Sequence, residues 1–269
     1  MAAIARKVLE KAPILQGPAY LAWVASMGTK NAMLAFAYKS FGRIPHSNSD
    51  RGQDRWVIDQ VFKGKRDGFF VELGAADGFN DSNTFVLEKR FGWKGLCIEP
   101  NPTFFDKLTS LAKRDCTLVQ LGVDAVSGTA EFLMDGQRGG LTHDDTSNSE
   151  AARGTALDKA KGEGRVVEIE TVTLAEVFDR YNAPSTIDYF SFDVEGAETR
   201  ILREFPFDRY KFLAMTIERP TPELNELLFA NGYHFVKNSL FDTFYIHESL
   251  PNFDEIERQP FEQLPPKKF

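Results

Sequence analysis

Cysteine is nearly missing from this chain, with two in 269 residues, Cys97 and Cys116. Two cannot build a disulfide framework, and no Cys-x-x-Cys or Cys/His spacing offers a zinc site. No metal ligand is assigned, and a divalent cation on Asp193, Glu195 and loop acids stays open. Cys97 lies in the apolar run Gly95-Leu96-Cys97-Ile98, where a thiol stays buried and reduced. That fits a reducing compartment, the cytoplasm. Basic charge is short as well: 32 Lys and Arg stand against 39 Asp and Glu, a net charge of −7. A grip on DNA or RNA needs the opposite balance, which removes nucleic acid as a partner. No run reaches the roughly 18 uninterrupted apolar residues of a membrane-spanning helix. There is no internal repeat.

What is present is enough apolar material for a real core. Hydrophobic residues make up 42% of the chain, and 24 of them are Phe. Residues 1–45 form a separate compositional segment, rich in Ala, Leu, Met and aromatics between Ile14 and Phe41. Gln16, Gly17, Pro18, Ser26, Lys30 and Asn31 interrupt it; Gln16 and Pro18, with no clean cleavage site after them, argue against a signal peptide. One or two helices packing on the main domain or on a second subunit are expected here. Interfacial membrane association is the less favoured alternative.

From residue 67 to 250 strands and helices alternate. Phe69–Gly74 reads as a strand, Asp81–Phe91 as a helix and Gly95–Glu99 as a second strand. Asn101-Pro102 caps and opens a helix. Thr117–Val123 reads as a third strand and Thr129–Leu133 as an extended piece. Residues 135–164 hold six glycines and no aromatic, the composition of a long mobile loop or lid. Strands then return near Val166–Ile169, Ile187–Phe192, Phe212–Ile217, Tyr233–Lys237 and Thr243–His247. Between them lie helices over Leu174–Tyr181, Ala197–Phe205 and Glu223–Asn231, the last stopped by Gly232. This alternation predicts an α/β domain over 46–250, a mostly parallel sheet with helices on both faces. The tail, 251–269, reads as a strap.

Three motifs end strands on one edge of that sheet, where ligands of such sheets bind. The first is Val71-Glu72-Leu73-Gly74-Ala75-Ala76-Asp77-Gly78, a strand that turns tightly through glycine. The second is Ile98-Glu99-Pro100, an acid placed 27 residues after Glu72, where a carboxylate can accept both hydroxyls of a ribose. The third is Phe192-Asp193-Val194-Glu195-Gly196-Ala197-Glu198, with three carboxylates in six residues. Glu198 has a simple explanation in the dipole of the helix it opens. Asp193 and Glu195 have none as good.

The first motif with Asp81-Ser82-Asn83-Thr84, the Cys97–Pro102 block and the Ile187–Glu198 block resemble the FkbM-type S-adenosylmethionine-dependent methyltransferases. Gly52-Gln53-Asp54 resembles a segment before the first motif in some relatives, and the likeness covers residues 50–247. Ala76 stands where the family commonly has Asn. The resemblance implies a Rossmann-like class I methyltransferase fold, seven strands with the last antiparallel. It implies S-adenosylmethionine as cofactor and methylation of a hydroxyl on a sugar, glycan or related metabolite. Under it Glu72, Gly74, Ala75, Asp77, Gly78 and Ser82 hold the amino-acid end of the cofactor. Glu99 and Pro100 hold the ribose, Gly122, Val123 and Asp124 lie along the adenine, and Asp193 faces the methyl group. Asp193, then Glu195, then His143 are the candidates for receiving the acceptor's proton. Homo-oligomerisation remains open. A nicotinamide oxidoreductase is the other enzyme reading; the missing inner glycine and the Asp193–Glu195 pair argue against it. A binding scaffold on the same fold is opposed by the intact Glu72, Glu99 and Asp193.

Overall fold

A computed structural model of the chain describes residues 18–110 and 112–265. The chain divides after His46 into two units. In the first, helix α1 spans Pro18–Phe41, 24 residues without an acid in the first turn and with Lys39 in the last. Met33, Phe36 and Phe41 are exposed. Of the one or two helices expected here, any part before Pro18 lies outside the described residues. No described helix is long and apolar enough to cross a membrane.

The second unit opens with a short turn of helix, α2 (Gln53–Arg55), that widens into a π-helical segment, Trp56–Val61. Strand β1 (Phe69–Leu73) follows, then α3 (Phe85–Phe91), β2 (Lys94–Ile98), α4 (Pro102–Ser110), β3 (Thr117–Val119) and β4 (Gly122–Val123). Next come β5 (Gly128–Leu133), β6 (Gly140–Leu141), α5 (Glu150–Arg153), α6 (Thr155–Gly162) and β7 (Val166–Val172). The chain ends through α7 (Leu174–Arg180), β8 (Thr186–Phe192), α8 (Glu198–Leu202), β9 (Lys211–Glu218), α9 (Pro222–Ala230), β10 (Tyr233–Ser239) and β11 (Asp242–His247).

Seven strands make the main sheet in the order β3-β2-β1-β8-β9-β11-β10. All neighbours pair in parallel except β11, which runs antiparallel between β9 and β10. This is the sheet expected, with the last strand reversed. From β1 the chain steps outward to β2 and β3, then returns to start again at β8 on the other side. The crevice between β1 and β8 is therefore the topological switch point. Strand β8 is buried along all but its first residue, as a central parallel strand must be. Its Phe190 stacks on Phe192 and on Phe212 of β9.

Three sequence expectations need correction. Thr117–Val123 is not one strand: β3 ends at Val119, and β4 belongs to a separate four-stranded sheet, β4-β7-β5-β6. The helix expected from Asp81 begins only at Phe85. Asp77 Oδ1 takes the N–H groups of Phe79 and Asn80, and Ser82 Oγ takes that of Phe85, so side chains compete with the helix for the backbone. Residues 135–164 are not a bare loop. They contain β6, α5 and α6, with Leu141, Leu157 and Ala160 buried. Ser149 caps α5 by accepting Ala152 N–H. Asn148 is fully buried and takes the Arg153 guanidinium on its Oδ1 at 2.6 Å. The segment's polarity is spent on internal hydrogen bonds, which composition alone does not reveal.

Candidate active site

A cavity of about 300 Å³ opens at the carboxyl ends of β1, β2, β8 and β9. Its floor is built where β1 and β8 pair, with Glu72 opposite Ser191 and Leu73 opposite Phe192. Gly74 follows at φ +86°, and a Cβ there would stand 1.9 Å from the Asp193 carbonyl oxygen. Only glycine lets the two strand ends close up in this way.

Of the residues chosen from sequence, Glu72, Gly74, Ala75, Ser82, Glu99 and Pro100 line the cavity on the β1–β2 side. Gly122 and Val123 line it from the small sheet, and Asp193 and Glu195 from the end of β8. Four others do not line it. Asp77 holds its own turn, and Gly78 packs so closely that a Cβ would meet Leu108 of α4 at 2.1 Å. Asp124 receives Arg200 Nε at 2.5 Å and pairs with His143 Nε2 at 2.8 Å. Burial pushes the Asp124 pKa up, but Arg200, the Ala125 N–H and His143 hold it below the usual carboxylate range. His143 and Asp124 thus fasten the inserted sheet to α8 instead of standing at the cavity.

Glu72 touches the cavity, but both its oxygens are engaged. Oε1 accepts Ser82 Oγ–H at 3.1 Å and Asn83 N–H at 2.7 Å. Oε2 accepts Thr84 Oγ1–H at 2.7 Å and faces Arg114 at 3.5 Å. Glu99 is different. Each oxygen accepts one backbone N–H, from Ala76 and from Asn101, both at 2.8 Å. An outer lone pair on each remains for a ligand. Burial pushes its carboxyl up to about 7, against the pull of those two N–H groups.

The other end of the cavity is acidic. Carboxylate oxygens of Asp193, Glu195 and Glu218 lie within 4.8 Å of one another, the spacing that a hard cation needs. Asp193 is open to solvent at the cavity floor yet set deep among protein atoms. Burial, then Glu218, Glu195, Asp242 and Glu198, drive its carboxyl well above the usual range. Glu198 and Asp242 are each raised to about 7, by burial first and by Glu218 next. In all, eight carboxylates and two guanidiniums, those of Arg51 and Arg138, line the space.

Glu218, Asp242, Asn83 and Phe241 were not chosen from sequence. Glu218 ends β9 as Glu99 ends the second strand region, so the same strand-end reasoning would have found it. Asp242 opens an antiparallel strand, and no sequence rule places that end beside the cavity. Gln53 Nε2 donates to Asp242 at 3.1 Å, which draws the Gly52-Gln53-Asp54 segment to the site. Asp54 is fully buried and accepts Ser47, Asn48 and Ser49 groups, shaping the loop that carries Asp50 and Arg51.

The sequence profile of the methyltransferase FkbM domain matches residues 72–235. Among curated proteins no sequence matches. Solved structures similar to the chain include precorrin-6y C5,15-methyltransferase of Geobacter metallireducens, at 13% identity and TM-score 0.38, over 72% of this chain and 84% of that one. A methyltransferase FkbM of Methylobacillus flagellatus is similar at 12% identity and TM-score 0.41; the match spans 87% of this chain and 61% of that one. The N-terminal domain of human METTL16 in complex with SAH is similar at 11% identity and TM-score 0.41, over 82% and 81%.

Proposed function

The chain belongs to the methyltransferase FkbM domain family, and we propose that it methylates a hydroxyl of a sugar, glycan or related metabolite. Its cofactor is S-adenosylmethionine, which supplies an electrophilic methyl group on a sulfonium. The cavity's residues suit that cofactor. The missing Cβ at Gly74 leaves room at the switch point, and the free lone pairs of Glu99 face the cavity as a ribose diol requires. Ala75, Ala76 and the Asn80–Asn83 turn wall the place for the amino-acid end. Glu72, assigned to that end from the sequence, lines the cavity and also holds this turn. Gly122 and Val123 are kept for the adenine.

The observation that carries the acceptor reading is Asp193, a carboxyl at the cavity floor whose proton affinity is raised well above the usual carboxylate range, by burial first and then by the carboxylates around it. A group so tuned accepts a proton from a developing alkoxide far better than an ordinary aspartate. Alignment of the acceptor oxygen with the methyl group is the larger part of the work. Glu195, Glu218 and Asp242 are further acceptors for the hydroxyls of a polyol, and Phe241 is a ring for a sugar face to lie on. The acid-rich lining disfavours a phosphate-bearing acceptor, in keeping with a partner that is not a nucleic acid. The proposal keeps the cytoplasm as its compartment, on the two thiols alone.

The test is to incubate the chain with methyl-labelled S-adenosylmethionine and panels of glycans, free sugars and small hydroxyl metabolites. Label found as an ether on carbon-bound oxygen supports the reading. Label only on nitrogen, carbon or RNA overturns it.

A further inference from the structure

Arg114 stands between two other charged residues, Lys113 and Asp115. In the fold the Arg114 side chain has no exposed surface. It sits behind the cavity wall, between the rings of Phe70 and Phe85, which are 5.5 and 5.8 Å from its guanidinium carbon. Nε donates to Glu88 Oε2 at 2.8 Å. The other two nitrogens reach the turn that follows β1. Nη1 donates to the Gly78 carbonyl at 3.0 Å and to Ser82 Oγ at 3.3 Å, with Glu72 Oε2 at 3.5 Å. Nη2 donates to Thr84 Oγ1 at 2.7 Å.

One planar group therefore fastens both ends of the 78–84 turn and the carboxylate that holds its middle. That turn presents Asn80, Asp81, Ser82 and Asn83 to the cavity, and Asp81 is held there at φ +58°. A left-handed backbone at a residue other than glycine has a modest energetic cost, which its surroundings offset. Buried ion pairs generally add little net stability over an apolar replacement of similar shape. Their geometric constraint is the better account of why a guanidinium stands here.

We infer that Arg114 is a positioning residue for cofactor binding: acting through Gly78, Glu72, Ser82 and Thr84, it holds the turn that receives the amino-acid end of the cofactor. This rests on the cofactor placement given under the proposed function. Lysine keeps the charge but not the fork, because an ammonium cannot span these acceptors in one plane.

The experiment titrates the full chain and its Arg114→Lys variant with two ligands. S-adenosylhomocysteine carries the amino-acid end; 5′-methylthioadenosine has the same nucleoside and sulfur without it. Arg114→Lys should weaken S-adenosylhomocysteine about tenfold and leave methylthioadenosine within about twofold. A residue that serves stability alone would move both ligands together, or neither. Either of those results in folded protein overturns the inference. Should Arg114→Lys fail to fold, Thr84→Val decides, since it removes one contact of the fork. It should weaken S-adenosylhomocysteine selectively by about threefold, and equal or absent weakening overturns the inference. If the unaltered chain binds neither ligand, the cofactor placement itself has failed and the inference falls with it.

Discussion

Glu99 Oε2 accepts the backbone N–H of Ala76 at 2.8 Å, across the gap between the ends of β1 and β2. The contact locks the turn after β1 to the acid after β2, so the two sequence motifs form one surface. The Glu99 carboxyl is buried there, and burial raises its pKa from 4.5 to about 7 against the pull of the Asn101 and Ala76 N–H groups. Ribose hydroxyls donate hydrogen bonds, so they favour the ionised carboxylate. Cofactor affinity should therefore rise with pH through 7 and level off above it. Below that point the loss from Glu99 approaches about tenfold per pH unit. Calorimetry at pH 6, 7 and 8 measures this, and Glu99→Gln should flatten the part of the slope that Glu99 contributes.

The same raised group has the opposite sign for stability. Between pH 4.5 and 7 the unfolded chain ionises Glu99 while the fold keeps it protonated. Glu198 and Asp242, also raised to about 7, act alike. The folded state binds more protons over this range, so their contribution makes stability fall as pH rises from 4.5 to 7. Denaturant melts of the chain and of Asp242→Asn at both ends of that window check it; the variant should lose part of the slope.

Asp193→Asn keeps the shape and removes the base. Turnover should fall by about 10²–10⁴ while cofactor binding changes little. His143→Ala should keep turnover within about threefold, because a lost partner of Asp124 affects the inserted sheet more than the chemistry. Steady-state rates on a shared acceptor separate the two. Near-normal turnover in Asp193→Asn would move the base elsewhere.

Gly74→Ala would place a methyl group 1.9 Å from the Asp193 carbonyl at a left-handed backbone position. Destabilisation should exceed about 2 kcal/mol, since backbone on both sides must shift. Thermal melting measures this directly, and cofactor binding should be lost with it.

Trypsin should cut the inserted segment at Arg138 before Arg153. Arg138 is 58% exposed, whereas the Arg153 side chain is 14% exposed. Arg153 is bound to Asp135 and Asn148. Timed digestion with mass spectrometry of the fragments settles the order. Early cleavage at Arg153 would restore the mobile loop that the composition suggested.

The legible part of this fold was the part set by local pattern. The runs around Val71, Leu96 and Phe190 are apolar enough to read as buried strands, and the acids that end them mark one edge. Asn148 and Arg114 were illegible for one reason. Each is a polar residue buried by partners far along the chain or across a turn, and a sequence window shows polarity without showing its partner. The split after Val119 was hidden as well, since both pieces have strand-like residues and only pairing assigns them to different sheets.

The tail after β11 lies along the outer strand, β10. Gln259 N–H bonds the Val236 carbonyl, and Asn238 Nδ2 donates to the Glu262 carbonyl. Phe261 closes over Phe229 and Phe235. The strap thus occupies the Val236 carbonyl and covers part of an edge that a strand from another molecule would require. At the far edge, β3 offers three residues, a short template for such pairing. Copies of this protein that associate are therefore steered away from extending one another's sheets, and a C-terminal deletion reaching Gln259 would remove that restraint from the β10 side.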